Sequence, residues 1–239
     1  MTWSIVAYDP AADAFGAAVA TKAFAAGTFV PFVQSGVGAV GTQSLTNRYL
    51  ATAVLQGLAR GLPAQRAVDA AIAGDDGREI RQLHCVDREG RIAAWTGRHC
   101  VKWAGACGEP FVSVAGNMLS NDKVAAATLA GFKHDPTAPL PERMLAALEA
   151  GEAAGGDRRG RQSAAMVMTT TEDFPDLSIR VDDHAEPLPE LRRLLGIWRA
   201  ERAPFLGNSP SKANPAGVHD IDVIEAGWKA RGWDIRFTR

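Results

Sequence analysis

A glycine-rich polar loop directly before an apolar segment constrains the fold of this chain more than any other feature. Residues 155–163 contain three glycines, one aspartate, three arginines, a glutamine and a serine. Glycine tolerates left-handed backbone conformations, so this loop can turn sharply. The apolar residues 164–168 predict a buried strand, which would place the last polar residues of the loop at a sheet rim. We interpret the loop as part of a site; the alternative is a solvated loop whose arginines pair with neighbouring acids.

Composition excludes several classes of function. The 239 residues are 46% hydrophobic and carry a formal net charge of -1, which fits one domain with a sizeable core and an appendage. A near-neutral balance argues against nucleic-acid and anionic-membrane partners, and no apolar run approaches the roughly 20 residues of a membrane span. The N-terminus lacks a signal-peptide pattern. We expect a soluble cytoplasmic protein.

The cysteines and histidines predict neither a metal site nor a disulfide framework. Three cysteines form no paired ligand spacing, and their odd number argues against disulfide pairing. The five histidines show no HExxH or HxH pattern, and there is no phosphate-binding loop or dinucleotide fingerprint. We therefore expect no cofactor and no metal.

The N-terminus predicts a strand hairpin with a candidate nucleophile at its start. Trp3, Ile5 and Ala7 stand at every second position, as the side chains on one face of a strand do. Asp9 and Pro10 begin a turn, and residues 15–21 form the second strand. Removal of Met1 would leave Thr2 with a free α-amino group. Such an amine has a reference pKa of about 7.7–8.0, so it can act as base for the hydroxyl of the same threonine. The sequence leaves open whether Met1 is removed.

A second unusual stretch covers residues 36–44. It is a strand of small residues that ends in Gly41, Thr42, Gln43 and Ser44. Backbone N–H groups near Gly41 and Thr42 could point at an oxyanion, because glycine allows a substrate to approach closely. The alternative is close packing of this strand against a helix.

The rest of the chain alternates predicted helices and strands before its composition changes. Apolar periodicity predicts two helices over residues 50–74, a hairpin over 82–96, a strand over 111–115, helices over 122–132 and 141–151, a strand over 177–181 and an amphipathic helix over 188–198. From about residue 203, prolines, glycines and asparagines indicate a linker. We assign residues 1–203 to one domain and 204–239 to a linker and appendage, with a short helix over 220–231 and a final strand-like piece.

The chain resembles the domain-of-unknown-function 1028 family, which has the N-terminal-nucleophile (Ntn) hydrolase fold. The matching segments together extend over essentially residues 1–200, and they are residues 2–7, 36–47, 116–119, 155–164 and 181–184. The strings Ala-Gly-Gly-Asp-Arg-Arg-Gly-Arg-Gln-Ser and Val-Asp-Asp-His are the specific ones. The resemblance implies an α+β fold, a four-layer αββα sandwich of two antiparallel sheets covered by helices.

The same resemblance implies hydrolysis of an amide by a nucleophile at the first residue of the mature chain. Thr2 falls at that position, and the stretch Gly41, Thr42 and Gln43 falls where the oxyanion is bound. The polar residues that would surround the nucleophile are Asn117, Asp157 and Ser163. Related sites carry a lysine on the third strand; residues 29–34 have no charge, so Lys22 is the nearby candidate.

Three hypotheses for function follow. The first is an Ntn-type hydrolase that cleaves an amide or amidine bond of a small, possibly anionic molecule. The second is a non-catalytic protein in which arginines of the loop bind a carboxylate or phosphate in bidentate fashion. The third is a hydrolase whose water is activated near Asp157 and Asp183. The candidate substrate-binding side chains outside residues 41–43 are Arg158, Arg161, Gln162, Asp183 and His184. We also expect a homo-oligomer, with Trp228 and Trp233 at an interface.

Overall fold

The computed structural model describes residues 2–238, which divide into two compact units after residue 196. The predicted boundary after residue 203 therefore falls inside the second unit, and as a boundary between domains it stays a prediction. No helix among residues 2–238 is long and apolar enough to cross a membrane.

The first unit contains an antiparallel sheet of six strands. The strands are β1 (Thr2–Asp9), β2 (Ala14–Thr21), β7 (Gly105–Glu109), β8 (Val112–Asn117), β9 (Ser163–Thr169) and β10 (Leu177–Val181), in the order β10-β9-β2-β1-β8-β7. The β1–β2 hairpin is the one predicted from the sequence, with Trp3 opposite Ala20. On its other side β1 pairs with β8, which sets Thr2 opposite Asn117. The N-terminal strand is therefore central in the sheet.

A second antiparallel sheet has four strands. They are β3 (Pro31–Gln34), β4 (Gly38–Ser44), β5 (Arg81–Asp87) and β6 (Ile92–Thr96), in the order β3-β4-β5-β6. Strand β1 packs against β4 and β5 packs against β8, so the two sheets lie face to face. Val6, Phe15, Ala39 and Val86 form an apolar cluster between them.

Helices cover the outer face of each sheet. Helices α1 (Arg48–Ala59) and α2 (Ala64–Ala73) pack on the four-stranded sheet, and α3 (Lys123–Lys133) and α4 (Leu140–Ala153) pack on the six-stranded sheet. Helix α1 begins where the Asn47 side chain accepts a hydrogen bond from the Tyr49 N–H at 3.1 Å. The layer order is α-β-β-α, which confirms the predicted sandwich.

Helix α5 (Pro187–Ile197) ends the first unit and was predicted from its leucines. Leu188, Leu191 and Leu195 are buried at helical spacing. The second unit continues with a π-helical turn over Trp198–Arg202 and contains α6 (Ala203–Leu206) and α7 (Ile221–Ala230). Its Phe205 and Trp233 rings stack, and the Trp228 and Phe237 rings pack at a tilt with their centroids 5.1 Å apart.

The structure differs from the sequence predictions at two places. Strand β7 was not predicted, because its sequence Gly-Ala-Cys-Gly-Glu has few of the branched and aromatic residues that mark strands. The predicted final strand-like piece is wrong, since residues 233–238 form neither helix nor strand.

Candidate active site

A pocket of about 410 Å³ opens where β1, β4 and β8 approach one another. We call it the Thr2 pocket, and its lining residues are Thr2, Ala23, Phe29, Ser44, Leu45, Ile80, His99, Val101, Asn117, Met118 and Arg159. Most of this wall is apolar, with a few polar groups gathered beside Thr2. A larger, more open groove of about 720 Å³ shares Phe29 but contains none of the predicted site residues. The smaller pocket is therefore the candidate site.

The Thr2 hydroxyl begins a short polar path into the protein. Thr2 Oγ1 donates to Thr21 Oγ1 at 3.2 Å, and Thr21 Oγ1 donates to Asp157 Oδ2 at 3.4 Å. Both threonines are buried, since Thr2 is 5% exposed and Thr21 is 1% exposed. The three residues lie on β1, at the end of β2 and in the loop before β9, so three segments distant in sequence meet here.

Asp157 is a buried carboxylate held by several donors. Its oxygens accept from the Lys22 N–H at 2.7 Å, from the Arg159 N–H at 2.9 Å and from the Arg159 guanidinium at 3.2 Å. The Asp157 side chain has no exposed surface, whereas that of Arg159 is 41% exposed. Asp157 therefore holds the loop in place, whereas the Arg159 side chain extends to the pocket wall.

Asn117 connects the pocket to a layer of polar side chains between the two sheets. We call this the buried polar layer, and its members are Ser4, Gln43, Gln82, His84, Ser113 and Asn117. Asn117 Nδ2 donates to Gln82 Oε1 at 3.0 Å, and Gln43 Nε2 donates to the same oxygen at 2.8 Å. All six residues are at most 2% exposed. Buried polar groups of this kind are tolerated only when they are hydrogen-bonded.

His84 lies at the inner end of this layer and is neutral. Ser4 Oγ donates to Gln43 Oε1 at 2.8 Å, so at the other contact of Ser4 the His84 Nε2–H is the donor, also at 2.8 Å. His84 Nδ1 then accepts from the Ser113 hydroxyl at 3.1 Å. Complete burial lowers the pKa of His84 to about 3. The imidazole is therefore a fixed donor–acceptor link rather than a charge.

Two other predicted catalytic residues have different positions. The Lys22 side chain is exposed, and it is the backbone N–H of Lys22 that binds Asp157. Ser163 Oγ donates to the Ala23 carbonyl at 2.7 Å and accepts from the Ala26 N–H at 3.2 Å. Neither side chain lines the Thr2 pocket. The cation on the pocket wall is Arg159, which the sequence singled out only as one of three loop arginines.

The predicted oxyanion stretch is buried beneath the pocket. The Thr42 N–H donates to the Val30 carbonyl at 3.1 Å, so it is already used. A side chain at Gly41 would collide with His84 Nε2 and Ser4 Oγ, and Gln43 belongs to the buried polar layer. Glycine is thus required at position 41 for close packing against the layer. The oxyanion role of these three residues stays a prediction.

The predicted substrate-binding side chains after Asp157 lie outside the pocket wall. Arg158 Nε donates to the Met118 carbonyl at 3.4 Å. Arg161 binds Glu152 at 2.8 Å and Glu186 at 2.6 Å. Gln162 connects to the strand end after β10 through two hydrogen bonds, one from Gln162 Nε2 to Asp183 Oδ1 at 3.1 Å and one from the His184 N–H to the Gln162 carbonyl at 2.8 Å. These contacts anchor the loop.

The pocket also concentrates strained backbone. Ser44 and Met118 both line it and have φ values of 73° and 56°, in the left-handed region that residues other than glycine rarely adopt. Strain of this kind persists only where surrounding structure enforces it, and it clusters at functional sites. Among residues 2–238, no group of three His, Cys, Asp or Glu side chains is placed to hold a metal ion.

Comparisons with known proteins place the chain in a family. It matches the family of unknown function DUF1028 over residues 2–191. It is similar to the crystal structure of protein SPO2555 from Silicibacter pomeroyi, a DUF1028 protein, with 29% identity and a TM-score of 0.85 over 92% of this chain and 96% of that chain.

A more distant likeness is to Anbu, the ancestral β-subunit, from Yersinia bercovieri, with 12% identity and a TM-score of 0.38 over 88% of this chain and 99% of that chain. Among curated proteins, none matches at a significant level. The match to the family covers most of the chain, from the candidate nucleophile through the loop that carries Asp157, and the chain therefore belongs to DUF1028.

Proposed function

We propose that this protein is an Ntn-type hydrolase that cleaves the C–N bond of a small amide or amidine, with Thr2 as nucleophile after removal of Met1. Met1 lies outside the described residues. The observation that carries the proposal is the Thr2 hydroxyl, which is on the wall of the Thr2 pocket and is hydrogen-bonded to Thr21, itself bonded to Asp157. A nucleophile oriented by a second and a third group is the arrangement that activated hydroxyls require.

The proposed reaction uses the α-amino group of Thr2 as general base. When substrate binds, the Thr2 hydroxyl turns its hydrogen from Thr21 Oγ1 to the amine, and the amine takes this proton as Thr2 Oγ1 attacks the substrate's electrophilic carbon. The C–N bond then breaks, the leaving nitrogen receives that proton, and water hydrolyses the ester (from an amide) or imidate (from an amidine) formed on Thr2. The guanidinium of Arg159 lies on the same wall, in place of the predicted Lys22, and its charge is partly offset by the buried Asp157 carboxylate at 3.2 Å. Its N–H groups can donate to negative charge that develops in the transition state.

The lining of the pocket supports a small, partly apolar substrate that is neutral or anionic. Of the described residues that line it, Arg159 and His99 can carry positive charge, and none is a carboxylate. The apolar part of the wall is formed by Phe29, Leu45, Ile80, Val101 and Met118. A homo-oligomeric state and a cytoplasmic location remain part of this proposal.

The two alternative hypotheses have less support. Activation of water by Asp157 and Asp183 is disfavoured because Asp157 is enclosed by its donors, while Asp183 is bound to Gln162. A bidentate anion grip by the loop arginines is disfavoured because Arg161 is paired with two glutamates. The hydrolase hypothesis is the one that uses groups gathered at the pocket.

Mass spectrometry of the intact protein, before and after treatment with a β-lactone that acylates N-terminal threonine, tests the proposal. We expect the chain to lack Met1 and to gain one acyl group on Thr2. The Thr2→Ala variant should gain none, yet its free energy of unfolding should fall by only about 1 kcal/mol, because the change removes a neutral hydroxyl and leaves the strand pairing of the backbone intact. Thr28→Ala, at an exposed threonine outside the pocket, is the matched control and should be acylated like wild type. A retained Met1, or equal acylation of Thr2→Ala, would exclude Thr2 as nucleophile.

A further inference from the structure

The direction of the hydrogen bonds in the buried polar layer is set by two backbone carbonyls. Gln82 is fully buried, and its Nε2, which carries two hydrogens, lies within hydrogen-bond distance of the Gly116 carbonyl at 2.8 Å, the Gly105 carbonyl at 3.1 Å and Thr96 Oγ1 at 3.0 Å. A backbone carbonyl can only accept. The amide nitrogen of Gln82 must therefore face these carbonyls, and its oxygen must face the other way.

The orientation of Gln82 determines the orientation of Asn117. Gln82 Oε1 can only accept, so the group of Asn117 that faces it at 3.0 Å must be the amide nitrogen. Rotation of the Asn117 amide by 180° would bring two acceptor oxygens together in a buried place. The remaining atom, Asn117 Oδ1, then lies on the other branch of the amide, and no hydrogen bond from another residue in the range 2–238 reaches it. Because Asn117 lines the Thr2 pocket, this oxygen is available to a ligand.

We propose that Gln82 is a positioning residue that holds Asn117 Oδ1 towards the Thr2 pocket as a hydrogen-bond acceptor, so that the pocket selects ligands with an N–H donor beside their carbonyl. The favoured class is primary and secondary amides and the corresponding amidines. Esters and N,N-disubstituted amides lack that donor and would leave the oxygen desolvated without a partner, which is costly. The predicted preference for ligands does not depend on the proposed function. Only the step from a ligand preference to a substrate preference rests on it.

The first test replaces the Asn117 amide by a carboxyl group and measures stability against pH. In Asn117→Asp, Gln82 Oε1 still demands a donor, so the carboxyl must stay protonated and its pKa should rise above the unfolded value. A carboxyl with a raised pKa in the folded state contributes full stability at low pH, and that stability is lost as pH rises through the folded pKa. The other titratable groups near position 117 are His84 in the layer, His99 and Arg159 on the pocket wall, and the buried Asp157 that pairs with Arg159.

Urea unfolding of wild type, Asn117→Asp and Asn117→Leu between pH 5 and pH 8 supplies the comparison. We expect Asn117→Asp to approach wild type at pH 5 and to be the least stable of the three at pH 8. Asn117→Leu cannot titrate at this position, so its difference from wild type should be constant. If Asn117→Asp keeps the same difference from wild type at both pH values, Gln82 can turn its nitrogen towards position 117 and the proposal is wrong.

The second test measures ligand preference without any reaction. Benzamide and N,N-dimethylbenzamide share a ring that suits the apolar wall and differ in their N–H donors. In NMR titrations, wild type should bind benzamide about tenfold more tightly, and Asn117→Leu should reduce this ratio to about twofold or less. The proposed selection is wrong if wild type binds the two compounds equally or binds neither. It is also wrong if Asn117→Leu leaves the ratio of the two affinities unchanged.

Neither measurement depends on catalysis, so these outcomes are independent of whether Thr2 is acylated. An active protein without the benzamide preference would contradict the inference alone. A preference without acylation would contradict only the proposed reaction.

Discussion

The loop over residues 155–163 and the buried polar layer differ in how conspicuous they are and in what they do. The loop has four charged side chains in five positions, Asp157 to Arg161, and most of them anchor the loop itself. The layer has no charged group, since its histidine is neutral, yet it leads directly to the pocket. The charge density of the sequence thus indicated the region of the candidate pocket but not which side chains line it.

Burial explains why the two regions should respond differently to mutation. The paired guanidinium of Arg161 is 44% exposed, and ion pairs in contact with water contribute little because solvent competes with them. In the layer, each lost partner leaves a polar atom that water cannot reach, and the full cost of desolvation remains. The comparison therefore predicts a large loss of stability when a neutral residue of the layer is replaced and a small loss when a charged residue of the loop is replaced.

The largest effect is expected from Gln82→Leu. This change leaves the Gly105 and Gly116 carbonyls and the amides of Gln43 and Asn117 without their partner. At about 1–3 kcal/mol for each unsatisfied buried group, with some relaxation, the free energy of unfolding should fall by about 3–5 kcal/mol. Urea unfolding at pH 7 measures this loss.

The matched control for that variant is Gln65→Leu on helix α2. Gln65 is exposed and binds Asp69 at 2.8 Å, so the same chemical change should alter stability by no more than about 0.5 kcal/mol. Similar losses in the two glutamine variants would remove the contrast between the layer and the surface.

An intermediate effect is expected from the pH dependence of His84. Its folded pKa of about 3 lies below the unfolded value of about 6.5, so between these values the unfolded chain binds a proton that the folded chain does not. The contribution of His84 to stability is therefore complete above pH 6.5 and falls by about 1.4 kcal/mol per unit as the pH decreases towards 3. His84→Gln should remove this slope between pH 6 and pH 4.

The exposed His134 provides the control for the slope. His134→Gln makes the same chemical change at an exposed position outside the buried polar layer and leaves the contacts of His84 intact, so it should retain the wild-type dependence of unfolding free energy on pH. If His84→Gln retains the slope as well, His84 is not the neutral buried link that the hydrogen bonds indicate.

Much of the fold was predictable from the sequence, and so was part of the lining of the candidate pocket. Alternation in residues 2–9 and the small-residue segment before Thr21 predicted the hairpin, and the resemblance to DUF1028 singled out Thr2 and Asn117, which line the Thr2 pocket. Arg159 could not be distinguished from Arg158 and Arg161, because the direction of each side chain depends on how the backbone turns at glycines 155, 156 and 160. All three of these glycines have positive φ.

The buried polar layer was missed for a different reason. Its members recur at every second or fourth position, as Gln82 and His84 on β5 and as Ser113 and Asn117 on β8. Such a pattern places them on one face of each strand, and a polar face on an antiparallel strand is normally read as exposed to solvent. Only the packing of β5 against β8 reveals that these faces meet in the interior.

The smallest effect is expected from Arg161→Ala, which tests the loop side of the comparison. Arg161 pairs with Glu186, which is exposed, and with Glu152, whose pKa is already raised by burial. Loss of the guanidinium should raise the pKa of Glu152 further, so the variant should lose more stability at pH 7 than at pH 4, where the carboxyl is largely protonated in both states. Because the Arg161 and Glu186 side chains contact water, the loss at pH 7 should stay below about 1 kcal/mol, and Arg161→Lys should lose less by keeping one ion pair. Benzamide binding should be the same in wild type and both variants, since Arg161 does not line the Thr2 pocket. Weaker benzamide binding in Arg161→Ala with unchanged stability would instead assign this arginine to the site, and the distinction between an anchoring loop and a ligand-facing layer would fail.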